Sequence, residues 1–155
     1  MMTNRINPHK EQHMAIKKSA SAVWKGDLKS GTGTISTHSG ALSAQPYGFN
    51  TRFEDKVGTN PEELICAAHA GCFSIALSMI LGEANLKADS IETSAEVSLE
   101  KGDGGFSITA IHLKTVAKIP GADKAAFDAA ANKAKENCPV SKVLNAKITL
   151  DATLA

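Results

Sequence analysis

The chain changes hydrophobic period several times, and each change marks an element. From Lys17 to Thr37, Ala20, Ala22 and Trp24 alternate with polar residues, Asp27–Gly33 is rich in turn formers, and Thr34–Thr37 resumes β-type composition. That stretch predicts strand, turn, strand. His38–Gly48 contains Pro46 and Gly48 and reads as a connection; the segment FNTRFE (Phe49–Glu54) then sets Arg52 between two phenylalanines. A strong helix start follows. Asn60 is a ready N-cap, Pro61 loses nothing at the first helical position, and Glu62 and Glu63 suit the positive end of the helix dipole. The run Leu64–Leu81 carries no formal charge over its 18 residues and has Cys72 near its middle. A helix apolar on most sides reads as a buried central helix.

Beyond it, Ile91, Thr93, Ala95, Val97 and Leu99 alternate with Glu92, Ser94, Glu96, Ser98 and Glu100, the pattern of a half-buried strand with an acidic outer face. Lys101–Gly105 is a turn and Phe106–Ile119 the return strand, in which His112 reads as structural. Pro120-Gly121 breaks the chain before the alanine-rich helix Ala122–Asn137. Pro139 disfavours helical backbone at Cys138, so that helix ends there. A short helix over Val140–Asn145, opened by Pro139, makes Cys138 its N-cap, where a helix N-terminus lowers a thiol's pKa. Lys147–Leu154 alternates again as a strand. The order β-β-loop-α-β-β-α-α-β predicts an α+β fold, with antiparallel sheet and helices packed on it.

Composition adds mostly exclusions. A chain of 155 residues is sized for one domain, read here as residues 14–155 after a polar leader over 1–13 that should be disordered. His9 and His13 in that leader lack the further ligands a metal would need. The net charge of +1, without a basic, aromatic-interleaved stretch, argues against nucleic acid. The 18-residue apolar run raises a membrane span, but His69, Ser74 and Ser78 interrupt it and acidic residues flank it, so no membrane is expected. No signal peptide is visible, and three unevenly spaced cysteines form no secreted disulfide framework. A cytoplasmic protein with reduced or reactive thiols follows.

The thiols are the candidate chemistry. Cys72 alone reads as a small core hydrophobe. Cys66 and Cys72 sit about 120° apart and roughly 9 Å along a helix, too far to pair. Cys138 lies in another segment, so pairing with either is open. The three lack zinc spacing, and no phosphate loop or nucleotide fingerprint is present.

Three blocks then carry a resemblance: YGFNTRFE (Tyr47–Glu54), GTNPEELICAAHAGCFSIALS (Gly58–Ser78) and NCPVSKVLNAKITLD (Asn137–Asp151). In that order they resemble the OsmC branch of the OsmC/Ohr family, over about Ala15 to the C-terminus. The resemblance implies the OsmC-like fold, an intertwined homodimer, and a thiol peroxidase acting on organic hydroperoxides and less well on hydrogen peroxide. It implies Cys72 as the attacking thiol, Cys138 as the resolving thiol that closes a disulfide, and Arg52 and Glu62 as their supporting pair. It implies no metal or organic cofactor, and a dihydrolipoyl protein as reductant. Cys66 departs from the family's small residue and reads as a buried bystander.

These roles make physical sense. Burial raises a thiol's pKa, and an arginine held by a glutamate can reverse that. Phe73, Ile75, Leu77 and Met79 are candidates for an apolar wall that favours organic peroxides. Glu62 and Cys72 are about 15 Å apart along one straight helix, too far for Arg52 to bridge. We therefore expect Arg52 and Glu62 of one subunit to complete the site around Cys72 and Cys138 of the other. A non-catalytic stress-related dimer that binds a hydrophobic ligand is the alternative, and a structural protein without chemistry a third.

Overall fold

The computed structural model describes residues 15–155; the expected leader and its histidines lie outside the described residues. The strands form two separate three-stranded sheets. Sheet A consists of β1 (Ala20–Lys25), β2 (Thr32–Thr37) and β3 (Gln45–Tyr47), all antiparallel. Sheet B runs in the order β4 (Ser90–Gly102), β5 (Gly105–Lys118), β6 (Lys147–Leu154). Between the sheets come α1 (Phe49–Phe53) and the long α2 (Pro61–Glu83); α3 (Lys124–Asn137) and α4 (Pro139–Val143) lie between β5 and β6.

The expected strands and the three expected helices are all present, and three differences have plain causes. β3 falls in the stretch read as a connection; three residues are too few to show alternation, and Pro46 is tolerated because β3 is an edge strand. FNTRFE forms a one-turn helix, α1. And β6 pairs parallel to β5, Ile111 opposite Ile148 and Leu113 opposite Leu150, so sheet B is mixed rather than antiparallel. The helical crossover α3–α4 returns the chain to the same end of the sheet, which a hairpin cannot do.

α2 starts and stops as its residues dictate. Asn60 Oδ1 accepts from the Glu63 N–H at 2.8 Å. At the other end Asn85 adopts φ 58°, and the N–H groups of Asn85 and Leu86 return to the carbonyls of Gly82 and Leu81 at 3.0 and 2.9 Å. This double return satisfies two orphan carbonyls and turns Leu86 onto the core. Phe73, Leu77 and Leu81 of α2, Leu113 and Ala117 of β5, and Phe127, Ala131 and Ala134 of α3 form that core. A polar ladder crosses it: Ser74 Oγ donates to Thr93 Oγ1 at 2.8 Å, which lies 2.9 Å from the buried Thr115 Oγ1. It fixes the rotation of α2 against β4 and β5, because its buried hydroxyls are paired only in that register. His112 bears out its structural reading, joining Thr149 (2.6 Å) and Asp151 (3.0 Å) on the outer face between β5 and β6.

Sheet A behaves differently. Its main attachments to its own chain are α1 and the Tyr47–Thr59 bridge. Every residue of β1 is exposed, and Val23 and Leu28 are 53% and 66% exposed. On α2, Ile75 and Met79 are 74% and 63% exposed. The N-terminal unit and one flank of the central helix are thus left uncovered by the chain itself.

Because Phe127 is fully buried in the core, Phe127→Ala should cost about 3–5 kcal/mol in denaturant unfolding at fixed protein concentration. A loss below about 1 kcal/mol would contradict the packing described.

Candidate active site

α4 begins where Pro139 forces the chain out of α3, and its first turn brings a sulfur to the middle of α2. Cys138 has extended backbone (φ −58°, ψ 128°), caps α4, and accepts the Ser141 N–H on Sγ at 3.5 Å. It is fully buried, and α4 lies against α2. Cys72 is half-buried, and its thiol interacts with that of Cys138; both thiols are free. Of the two pairings left open by sequence, Cys72 with Cys138 is the one the structure brings together.

The two thiols are shifted in opposite directions. Burial, and after it the interaction with Cys138, push the Cys72 thiol up. Burial also pushes Cys138 up, but the Cys72 thiol and the Ser141 N–H outweigh it, so its pKa falls below the ordinary value. The lowering expected for an N-cap thiol is therefore present at Cys138. Beside the pair runs an apolar groove of about 570 Å³, lined by Cys72, Ile75, Ala76, Met79, Ile80 and Pro139 among others. Ile75 and Met79 stand in it as expected, whereas Phe73 and Leu77 do not: both are fully buried in the core, because they project from the face of α2 turned to sheet B and α3.

Arg52 and Glu62 form a second centre. Arg52 Nε donates to both oxygens of the buried Glu62 carboxylate, at 3.0 and 3.2 Å, and Nη2 adds a third bond. Their alignment depends on α1. Thr51 Oγ1 accepts the Gly48 N–H at 2.9 Å, and the Thr51 carbonyl receives Asn60 Nδ2 at 3.4 Å, seating α1 over the start of α2. Gly58 permits this seating, since a Cβ there would meet Thr51 Cγ2 at 2.7 Å. Arg52 also lies over the Phe53 ring, 5.2 Å from its centroid. The pair lines a cleft of about 660 Å³ with Cys66 and Ala95–Val97, separate from the groove beside Cys72. Since α2 is unbroken from Pro61 to Glu83, the helical separation of Glu62 from Cys72 stands. Cys66 lines this cleft and is half-buried rather than buried as expected. Its thiol is pushed up by burial and by Glu63 and Glu96.

Sequence reading used His69 only as a break in the apolar run. It is fully buried, one turn before Cys72, with Nε2 2.7 Å from Ser141 Oγ. A histidine inside an uncharged helix was the available signal. Among the described residues, no three His, Cys, Asp or Glu side chains converge to hold a metal.

Comparison with known proteins places this arrangement. The family model for OsmC, described as OsmC-like protein, matches residues 53–153. The chain is 60% identical over 141 residues to Peroxiredoxin OsmC of Escherichia coli (strain K12), covering 91% of this chain and 99% of that protein. It is 34% identical over 124 residues to Organic hydroperoxide resistance protein OhrB of Bacillus subtilis (strain 168), covering 79% and 88%. The crystal structure of Bacillus subtilis OhrB superposes with a TM-score of 0.63 at 30% identity, covering 88% of this chain and 98% of that one. An OsmC-like protein from Mycoplasma pneumoniae shares the fold at a TM-score of 0.71 and 16% identity, covering 92% and 99%. Sequence and fold agree: the chain belongs to the OsmC family.

Proposed function

We propose that this protein is a thiol peroxidase that reduces organic hydroperoxides, and hydrogen peroxide less well, through Cys72 and Cys138. The contact between Cys72 and Cys138, at the Ser141 N–H of α4 and beside an apolar groove, carries the reading. The names of the relatives, a peroxiredoxin and an organic hydroperoxide resistance protein, support it.

The Cys72 thiolate attacks the terminal oxygen of ROOH. The O–O bond breaks, the alkoxide leaves with a proton as ROH, and Cys72 becomes a sulfenic acid. The Cys138 sulfur then attacks Cys72, expelling water and closing a disulfide. A dithiol, by family resemblance a dihydrolipoyl protein, exchanges with that disulfide and returns both thiols. No metal or organic cofactor takes part in these steps. The Ile75 and Met79 side of the groove receives the alkyl group, which is why an organic peroxide gains more from binding than hydrogen peroxide.

Within one protomer burial and Cys138 push the Cys72 thiol up, and Arg52, paired with Glu62 at the start of α2, is too far away to offset them. The missing charge comes from a second copy. Two features support a homodimer: sheet A is left without a core of its own, and α2 exposes apolar residues that Val23 of β1 and Leu28 of the β1–β2 turn can cover. In such an intertwined dimer, Arg52 of the partner subunit, fixed by the partner's Glu62, stands over Cys72 and lowers its pKa. Two sites form, one at each end of the interface, in a cytoplasmic enzyme.

Sedimentation should give twice the 16.2 kDa chain mass. Cys72→Ser should abolish peroxide consumption, whereas Cys138→Ser should turn over once and then over-oxidise at Cys72, as read by mass spectrometry; sustained consumption by Cys72→Ser would end the proposal. Arg52→Met raises the Cys72 pKa, so the thiolate fraction at pH 7 drops about tenfold for each unit and the rate with it. The loss should shrink as pH rises through the new pKa. Mixing inactive Arg52→Met and Cys72→Ser subunits should restore about a quarter of wild-type activity, because half of random dimers are mixed and each has one intact site. Complete absence of recovery, with mixed dimers shown to form, would place Arg52 in its own chain's site.

A further inference from the structure

His69 sits fully buried in the uncharged stretch of α2, where an apolar side chain would fill the space without needing a partner. Its Nδ1 has no hydrogen-bond partner among the described residues. A half-satisfied imidazole costs folding free energy, so stability alone does not account for it. Its Nε2, however, reaches across 72 residues of sequence to Ser141 Oγ at 2.7 Å. Ser141 is itself buried, and its N–H is the group that donates to Cys138 Sγ. The connection therefore runs from α2, one turn before Cys72, through a side-chain hydrogen bond to α4 and back to the sulfur of Cys138.

α4 is otherwise held by Val140, half-buried against the core, and by the buried Cys138 that precedes it. It is a single turn of five residues; only Ser141 is buried, while Val143 is 77% exposed. Burial of the ring lowers the His69 pKa, which keeps it neutral and the bond in one form at physiological pH.

We propose that His69 is a positioning residue: its bond to Ser141 clamps the first turn of α4 on α2 and so holds Cys138 ready to capture the sulfenic acid of Cys72. The inference rests on the roles given above to Cys72 and Cys138. Two reactions compete for that sulfenic acid. In one, Cys138–SH and Cys72–SOH form the disulfide and water. In the other, a second ROOH converts Cys72–SOH to Cys72–SO₂H and leaves as ROH. A clamp on Cys138 accelerates the first without touching the second, so it sets how many turnovers the enzyme survives.

The test is the fraction of Cys72 over-oxidised per turnover, measured by mass spectrometry over a range of cumene hydroperoxide concentrations with dithiol present. His69→Leu and Ser141→Ala should each raise that fraction several-fold, to about tenfold for one lost hydrogen bond. Neither should change the rate of the first peroxide reaction by more than about twofold, since neither group touches Cys72. His69→Gln, which can place an amide nitrogen near Nε2, should restore the wild-type fraction. Should His69→Leu fail to fold, Ser141→Ala decides alone. An unchanged fraction in a folded variant, or a matching fall in both steps, overturns the inference. If instead the wild type shows no oxidation at Cys72 at any peroxide concentration, the failure lies in the assignment of Cys72 itself.

Discussion

An uncharged helix must be covered on every side, and the structure follows from how α2 is covered. Sheet B, α3 and α4 bury Phe73, Leu77 and Leu81, and leave Ile75 and Met79 in the open. The chain has unspent apolar surface to match, in a three-stranded sheet that closes no core of its own. In the proposed dimer a second copy would cover both at once. Cys72, at the middle of α2, borders the same exposed flank as Ile75 and Met79.

The sulfur pair and the ion pair are complementary halves of one device. Cys72, pushed up by burial and by its interaction with Cys138, lacks a positive charge. Arg52, with Glu62 holding three of its hydrogen bonds, is an oriented guanidinium facing a cleft with no sulfur partner but Cys66. Under the proposed mechanism the two halves meet only across a dimer interface, since α2 holds Glu62 and Cys72 apart within one chain. The Ser74–Thr93–Thr115 ladder and the His69–Ser141 bond tie α2 to sheet B and to α4.

Much of this was legible before any coordinates. The caps at Asn60 and Cys138 follow from the prolines after them, and the β4–β5 hairpin from clean alternation. Arg52, Glu62, Cys72 and Cys138 came from resemblance in motif order, which composition could not have supplied. What escaped had a physical reason. A three-residue strand and a one-turn helix are shorter than any period that could announce them. The parallel entry of β6 depends on where the α3–α4 crossover returns the chain, and no local pattern records that. Phe73 and Leu77 were assigned to the pocket wall because an all-apolar helix gives no moment to separate its inner face from its outer one. His69 shows the converse: a polar residue in such a helix is the one informative position, and its partner lies too far along the chain to be read.

The account stands or falls on Cys72 and Cys138 acting as one redox pair. Its most direct test is to count free thiols by mass before and after one equivalent of an organic hydroperoxide. Loss of two thiols, with a cross-linked peptide joining Cys72 to Cys138 and Cys66 still free, is the predicted result. Loss of one thiol alone, or a link that runs through Cys66, would contradict it.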